Sequence, residues 1–125
     1  MIQLDTSFLI RALVKGSAQD RALRSWLKNG ETLAISAIAW GEFLCGPAEV
    51  GQVDLAARVV PERLDFTGDD GTLAARLFNA SGRRRGSFVD CMIAATAIRA
   101  ETALATVNLE DFRRFAEAGL VLART

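Results

Sequence analysis

The stretch "IQLDTSFLIRALV", residues 2–14, changes its hydrophobic pattern at a single residue, Asp5. The short apolar start "IQL" is typical of a buried strand, whereas the apolar residues from Phe8 onward recur at the spacing of one helical face. We therefore predict a strand that ends before Asp5 and a helix that begins directly after it. This strand-then-helix unit recurs along the chain.

Short apolar strands continue to alternate with helices through the rest of the sequence. We predict strands at "TLAIS" (32–36), "RLDF" (63–66), "ALATV" (103–107) and "LVLA" (120–123). We predict helices at residues 18–29, 37–46, 48–60, 69–82, 87–100 and 108–119. Such alternation favours an α/β fold with a mainly parallel central sheet of about four or five strands flanked by helices. A chain of 125 residues has the length of one domain, so we expect residues 1–125 to form a single domain.

Composition excludes several classes of protein. Half of the residues are hydrophobic, 24% are charged and the formal net charge is zero, which is typical of a globular chain. The absence of histidine excludes His-ligated zinc and a Ser-His-Asp triad. Cys45 and Cys91 lie in apolar segments without a C-x-x-C spacing, which favours buried thiols over a disulfide. No signal peptide or membrane-spanning run is indicated, so we expect a cytoplasmic protein without membrane contact.

Three acidic residues each stand alone in an apolar part of the chain. Asp5 is the only charged residue among the first ten, Glu42 the only one in residues 32–48, and Asp90 the only one in residues 86–98. A buried carboxylate without a partner costs several kcal/mol or becomes protonated. Because these segments contain no cation, compensation must come from backbone amides, a distant Arg or Lys, or a bound metal. Three converging carboxylates would suit Mg²⁺ or Mn²⁺.

Each acid also has a simpler interpretation. Asp5 could be the N-cap of the first helix, and Asp90 follows Ser87 at the spacing of an S-x-x-D capping box. Glu42 is too far inside its helix to be a cap, but it could lie on an exposed helix edge.

Taken together, these segments resemble PIN domains. Asp5 in "LDTSFLI", Glu42 in "ISAIAWGEFLCG", Asp90 in "FVDCMIAATAI" and the segment "LATVNLEDFRRF" occur in the order and approximate spacing of that family. The chain resembles a VapC-type toxin ribonuclease over nearly its whole length. The resemblance implies a parallel sheet flanked by helices, carboxylates gathered at one end, one or two Mg²⁺ or Mn²⁺ ions, and endonucleolytic hydrolysis of RNA that leaves a 5′-phosphate and a 3′-hydroxyl.

The resemblance also assigns roles to individual residues. Asp5, Glu42 and Asp90 match the three acidic metal-site positions, and Thr6 and Ser7 match the small polar pair after the first Asp. Such hydroxyls can hold a ligand carboxylate in place.

A fourth acidic position is less well defined. Many relatives carry an acid where either Asn108 or Asp111 stands, so Asp111 is the candidate ligand and Asn108 is assigned a supporting role. Asp111 also follows Asn108 at the spacing of a capping box, which leaves a purely structural alternative open.

Positive charge is densest at Arg83, Arg84 and Arg85, directly before the predicted helix that carries Asp90. A basic loop there could bind RNA phosphates, and Arg11 could extend the same track; a solvated arginine loop is the alternative. The resemblance further implies a VapB-type antitoxin, an RNA substrate, and a homodimer or a larger complex with the antitoxin. A catalytically silent PIN-like module that binds RNA or protein is the alternative function.

Overall fold

Five strands form one sheet in which every neighbouring pair is parallel. The structure, a computed structural model, describes residues 1–125. The strands are β1 (Ile2–Leu4), β2 (Leu33–Ser36), β3 (Glu62–Leu64), β4 (Ala103–Ala105) and β5 (Val121–Leu122), in the order β3-β2-β1-β4-β5. The chain runs outward from β1 to β2 and β3 on one side and then returns to β4 and β5 on the other. Ligands of open α/β sheets bind outside the carboxyl ends of the strands at such a reversal, which here lies between β1 and β4.

Seven helices connect and flank these strands. They are α1 (Thr6–Ala12), α2 (Ala18–Lys28), α3 (Ala37–Leu44), α4 (Val50–Val59), α5 (Gly68–Ala80), α6 (Phe88–Arg99) and α7 (Leu109–Arg113), followed by a 3₁₀ turn at Ala116–Ala118. Helix α3 begins at Ala37, as predicted. The Ser36 hydroxyl caps this start by accepting a hydrogen bond from the Ala39 amide at 3.0 Å. The predicted fold class is therefore confirmed, with five parallel strands.

The helix predicted over residues 108–119 is interrupted. It divides into α7 and the 3₁₀ turn, with i→i+3 hydrogen bonds from Phe115 to Phe112 and from Ala118 to Phe115. Because a 3₁₀ turn places residues i and i+3 on the same side, it allows both phenylalanines to be buried. Gly119, at φ 107°, then ends the segment in a conformation that other residues rarely adopt.

Helix α6 is the most completely buried helix. Its buried residues are Cys91, Ile93, Ala94, Ala95, Thr96 and Ala97. Small side chains allow it to pack closely against α5 and the sheet, and its burial gives Asp90, in its first turn, a fixed support.

A buried carboxylate links α5 to α6. Asp70 has no exposed surface, and it accepts hydrogen bonds from the Thr67 amide at 3.0 Å, the Thr96 hydroxyl at 3.2 Å and the Arg99 guanidinium. Burial raises the pKa of Asp70, but Arg99 and the other donors outweigh burial and leave the pKa lowered. Asp70 therefore stays charged inside the core as part of an ion pair.

Two smaller expectations need correction. Cys91 is buried as predicted, but Cys45, the residue that follows the last turn of α3, is exposed. The strand predicted over residues 63–66 begins at Glu62 and ends at Leu64, so Asp65 and Phe66 lie beyond it. None of the helices combines the length and the apolar character that crossing a bilayer would require.

Candidate active site

Asp5 lies at the carboxyl end of the central strand, beside the reversal in strand order. Its amide donates to the Ala105 carbonyl of β4 at 2.9 Å, and only 4% of the residue is exposed. Its Oδ2 accepts two hydrogen bonds of 2.8 Å, from the Ser7 hydroxyl and from the Thr106 hydroxyl. These bonds fix one carboxylate oxygen and leave Oδ1 without a side-chain partner.

Asp5 is the N-cap residue of α1, but capping does not account for its carboxylate. Asp5 occupies the residue before α1, but its side chain makes no capping hydrogen bond. Burial raises the pKa of Asp5, and hydrogen bonds from Thr106, Ser7 and the Thr6 amide offset that rise only in part. The buried carboxylate is therefore harder to ionise than one in water, as expected where a cation is meant to complete its surroundings.

Thr106 is a site residue that the sequence reasoning missed. It directly follows β4, and its hydroxyl also accepts a hydrogen bond from the Asn108 amide at 3.0 Å. The predicted strand over residues 103–107 treated it as a strand residue. Its position one residue beyond a strand next to β1 is the signal that could have identified it, since polar residues at strand ends gather at a switch point.

Glu42 lies on the exposed side of α3, so the alternative of a helix-edge glutamate is correct and the expectation of burial is wrong. Its Oε1 accepts a hydrogen bond from the Thr6 hydroxyl at 2.7 Å. The same hydroxyl lies 3.1 Å from the Ala39 carbonyl, which ties α1 to α3. Thr6 therefore supports Glu42, while Ser7 supports Asp5.

Asp90 lies half-buried in the first turn of α6. Burial, followed by the negative charges of Asp5 and Asp111 and a smaller effect of Glu42, raises the pKa of Asp90 to about 6, although Arg114 acts in the opposite direction. Because the negative charges of all three other carboxylates raise the pKa of Asp90, the four predicted acids lie in one region of the molecule.

The capping-box interpretation of Asp90 is also wrong. The Ser87 hydroxyl makes no capping bond and instead donates to the Arg84 carbonyl at 2.7 Å.

Asp111 lies half-buried in the first turn of α7. The Asn108 side chain makes no capping hydrogen bond, so a capping box does not account for this acid. Asn108 is exposed, and its contact with the site is made by its backbone amide on Thr106 rather than by its side chain. The charge of Asp111 raises the pKa of both Asp5 and Asp90, which indicates that Asp111 lies near both.

The four carboxylates suit a hard divalent cation, but they do not form a ready-made cage. No three of the chain's acidic or cysteine side chains are grouped closely enough to hold a metal ion directly. Mg²⁺ usually keeps several waters and binds proteins through one or two carboxylates. The donor set therefore fits Mg²⁺ or Mn²⁺ held partly through water, and the expected direct ligation by three carboxylates is not present.

The arginine loop lies beside the first turn of α6. Arg83, Arg84 and Arg85 are all exposed, and the Arg83 Nε donates to the Asn79 side chain at 3.1 Å. The Arg84 carbonyl accepts the Ser87 amide at 3.1 Å as well as the Ser87 hydroxyl, so the loop is anchored to the helix that carries Asp90. Arg11 is exposed near the end of α1 and takes part in no ion pair.

Comparison with known proteins agrees with this architecture. The PIN domain profile matches residues 2–118. VapBC2 from Rickettsia felis, solved bound to a promoter DNA fragment, has a chain that is 26% identical over 98% of both chains, with a TM-score of 0.79. Two less similar chains share the fold. VapBC-1 from nontypeable Haemophilus influenzae is 20% identical over 98% of this chain and 97% of that one, with a TM-score of 0.76. Mycobacterium tuberculosis VapC20, a toxin that cleaves the sarcin-ricin loop, is 23% identical over all of both chains, with a TM-score of 0.71.

No curated protein sequence matches the chain significantly. The profile nevertheless spans β1 to the 3₁₀ turn and includes all four acids. The resemblance inferred from the sequence is confirmed: the chain belongs to the PIN domain family.

Proposed function

We propose that this protein is a metal-dependent endoribonuclease that acts as a VapC-type toxin and hydrolyses RNA phosphodiester bonds. The observation that carries the proposal is the placement of Asp5 in a PIN domain: its carboxylate lies at the carboxyl end of β1 beside the β1/β4 switch point, with Oδ2 held by the Ser7 and Thr106 hydroxyls. PIN and VapC relatives act as nucleases, which supports the same class of activity here.

In this proposal Asp5, Glu42, Asp90 and Asp111 hold one or two Mg²⁺ or Mn²⁺ ions. When bound, such an ion supplies a Lewis acid that activates water and stabilises negative charge on the phosphate. The chain's own residues orient the donors, because hydroxyls bind one oxygen each of Asp5 and Glu42 and leave the second without a side-chain partner. Because the pKa of Asp90 is about 6, its carboxylate is mostly charged and able to bind a cation at pH 7 and above. Hydrolysis is expected to leave a 5′-phosphate and a 3′-hydroxyl.

We expect Asp90→Asn to abolish RNA cleavage in Mg²⁺ or Mn²⁺ because it removes a charged oxygen donor while keeping the side-chain shape. Gel analysis of a single-stranded RNA, with and without EDTA, measures this. Asp54→Asn, which neutralises an exposed carboxylate on α4, is the matched control and should cleave like the wild type. Equal cleavage by Asp90→Asn and wild type, or full activity in EDTA, would contradict the proposal.

The partner and oligomer proposals rest on the relatives, several of which were solved as toxin-antitoxin complexes. We propose a VapB-type antitoxin as the partner and a homodimer or a larger complex as the assembly. Exposed apolar residues on α1 and just beyond it, Ile10 at 47% and Val14 at 55%, line a groove with Phe43 and Pro47 that an apolar partner helix could cover. The cytoplasmic location expected from the sequence stays a prediction.

We also propose that Arg83, Arg84, Arg85 and Arg11 contact RNA phosphates. All are exposed, and none forms an ion pair with a carboxylate of the chain. Phosphate contacts position a strand without reading its sequence, so these residues say nothing about which RNA is cut.

One observation favours the second candidate function, a catalytically silent PIN-like module that binds RNA or protein. The carboxylates are not gathered into a direct metal cage. The EDTA and Asp90→Asn comparison separates the two, since a silent module would show no metal-dependent cleavage in either protein.

A further inference from the structure

A cleft of about 330 Å³ lies between the end of α5 and the turn after α7. Its charged lining residues are Arg84, Arg114 and Glu117, and its wall includes Ser81 and Phe115. The lining therefore contains two guanidinium groups and one carboxylate, and its net charge is positive. Such a cleft favours an anionic ligand.

Arg114 is the unusual member of this lining. Its guanidinium carbon lies 4.6 Å from the centroid of the Phe115 ring, which holds the group by a cation–π contact. Its Nε and Nη1 atoms are buried and have no hydrogen-bond acceptor, and it forms no ion pair within 4.0 Å. Buried donors without acceptors are rare in folded proteins and are costly, so Arg114 is a cation whose hydrogen-bonding capacity the chain itself leaves unmet.

The cleft lies beside the group of acids. Arg114 is one turn beyond Asp111 in sequence, and its charge acts on Asp90. The second arginine, Arg84, is anchored through its carbonyl to Ser87 at the start of α6. Both arginines are thus attached to the elements that carry Asp90 and Asp111.

We propose that Arg84 and Arg114 form a subsite for a backbone phosphate of the RNA, next to the phosphate that reacts at the acids. This inference rests on the proposed ribonuclease function. Arg114 is held against the Phe115 ring and brings a charge that no carboxylate of the chain pairs with, whereas Arg84 belongs to the loop before α6. A guanidinium binds phosphate oxygens through parallel hydrogen bonds that an ammonium cannot reproduce. Glu117 is exposed, where water screens its repulsion of the phosphate.

The test measures RNA binding without cleavage, in the Asp5→Asn background and in EDTA. Fluorescence anisotropy with a single-stranded RNA oligonucleotide is followed over a series of salt concentrations. Arg114→Gln is expected to weaken binding about tenfold at low salt and to make the slope of log affinity against log salt shallower by about 0.7, the value for one lost phosphate contact on a single strand. Arg114→Lys keeps the charge but loses the planar group, so it should keep the slope and still lose affinity.

Arg76→Gln is the matched control, because it removes the same charge from an exposed arginine of α5 that does not line the cleft. Its affinity should stay within about twofold of the parent. Equal affinity and equal slope for Arg114→Gln and Arg76→Gln would overturn the proposal. The charge of Arg114 would then act only on the nearby carboxylates and not on RNA.

A second pair keeps the proposal testable if Arg114→Gln does not fold, as judged by circular dichroism. Arg84→Gln removes an exposed loop arginine that lines the cleft, and Arg76→Gln, which does not touch the cleft, is again its control. The slope should change more for Arg84→Gln, and equal changes would overturn the subsite.

If the wild type binds RNA through Arg114 but does not cleave it, the ribonuclease proposal fails and the subsite stands. If Asp90→Asn abolishes cleavage while Arg114→Gln binds normally, only the subsite fails.

Discussion

At the scale of single residues, the site depends on carboxylates that are difficult to ionise. Burial and neighbouring negative charges raise the pKa of Asp90 from 3.8 to about 6, and burial raises the pKa of Asp5. A raised pKa means that the folded state binds the proton more tightly than the unfolded chain does. Above the folded pKa the charged form therefore destabilises the fold, and this cost disappears as the pH falls toward 3.8.

We accordingly expect Asp90→Asn to raise the melting temperature at pH 7. The cost that corresponds to the rise in pKa from 3.8 to about 6 is discounted by roughly half because Asp90 is only half-buried. The expected gain is about 1 kcal/mol in the free energy of unfolding, or about 4 °C in melting temperature. Thermal melts of both proteins from pH 4 to pH 8 in EDTA measure the difference, which should shrink as the pH falls. The exposed-site variant Asp54→Asn should show no such gain. A variant less stable than the wild type at pH 7 would show that the charge of Asp90 is not destabilising.

At the scale of secondary-structure elements, α5 and α6 are joined by the buried pair of Asp70 and Arg99. Because the pKa of Asp70 is lowered, its contribution to stability is present above pH 3.8 and is lost as the pH falls through the lower folded value. The same carboxylate closes the capping box with Thr67 at the start of α5. One side chain thus fixes both the start of α5 and the position of the helix that carries Asp90.

We expect Asp70→Asn to lower the free energy of unfolding by about 2–3 kcal/mol, because it leaves Arg99 without its anionic partner. Arg99 is 38% exposed, so the loss should fall below that for a fully buried pair. Urea unfolding at pH 7 measures it. Asp69→Asn, an exposed carboxylate in the same first turn, should cost less than about 1 kcal/mol. Similar losses for the two variants would mean that the helix dipole, rather than the ion pair, accounts for the effect.

At the scale of the whole molecule, the strand order brings together residues that are far apart in sequence. Thr106 donates to Asp5 across 101 residues, because β4 lies beside β1 and both strands point the same way. The switch point therefore places Asp5, its hydroxyl donors and the first turn of α7 together at the carboxyl ends of the central strands. The site depends on topology as much as on the acids themselves.

Thr106→Val tests this long-range contact, since valine keeps the shape but removes the hydroxyl that orients Asp5. We expect cleavage to fall about 10- to 100-fold, as for other residues that orient metal ligands. Because loss of the hydrogen bond raises the pKa of Asp5 further, the rise of cleavage with pH should move to higher pH. Activity measured from pH 5 to pH 9 checks both effects. Thr32→Val, at an exposed position before β2, is the control. An unchanged pH profile would exclude a positioning role for Thr106.

The sequence alone determined the order of the elements and singled out Asp5, Glu42 and Asp90, because both depend on local signals, whereas Asp111 was named only from the family resemblance. Hydrophobic periodicity and the Ser36 cap are set by neighbours within a few residues, and an isolated acid in an apolar run is visible without a fold. The interruption after α7, by contrast, was not predicted from these signals.

Tertiary structure decided how those residues are used. Ser87 could bond either to the first turn of α6 or back to Arg84, and only the folded loop selects Arg84. The exposure of Glu42, the bond from Thr106 to Asp5 and the unpaired guanidinium of Arg114 depend on which distant segments meet. Burial and electrostatic interactions act through space, whereas sequence patterns report only local spacing.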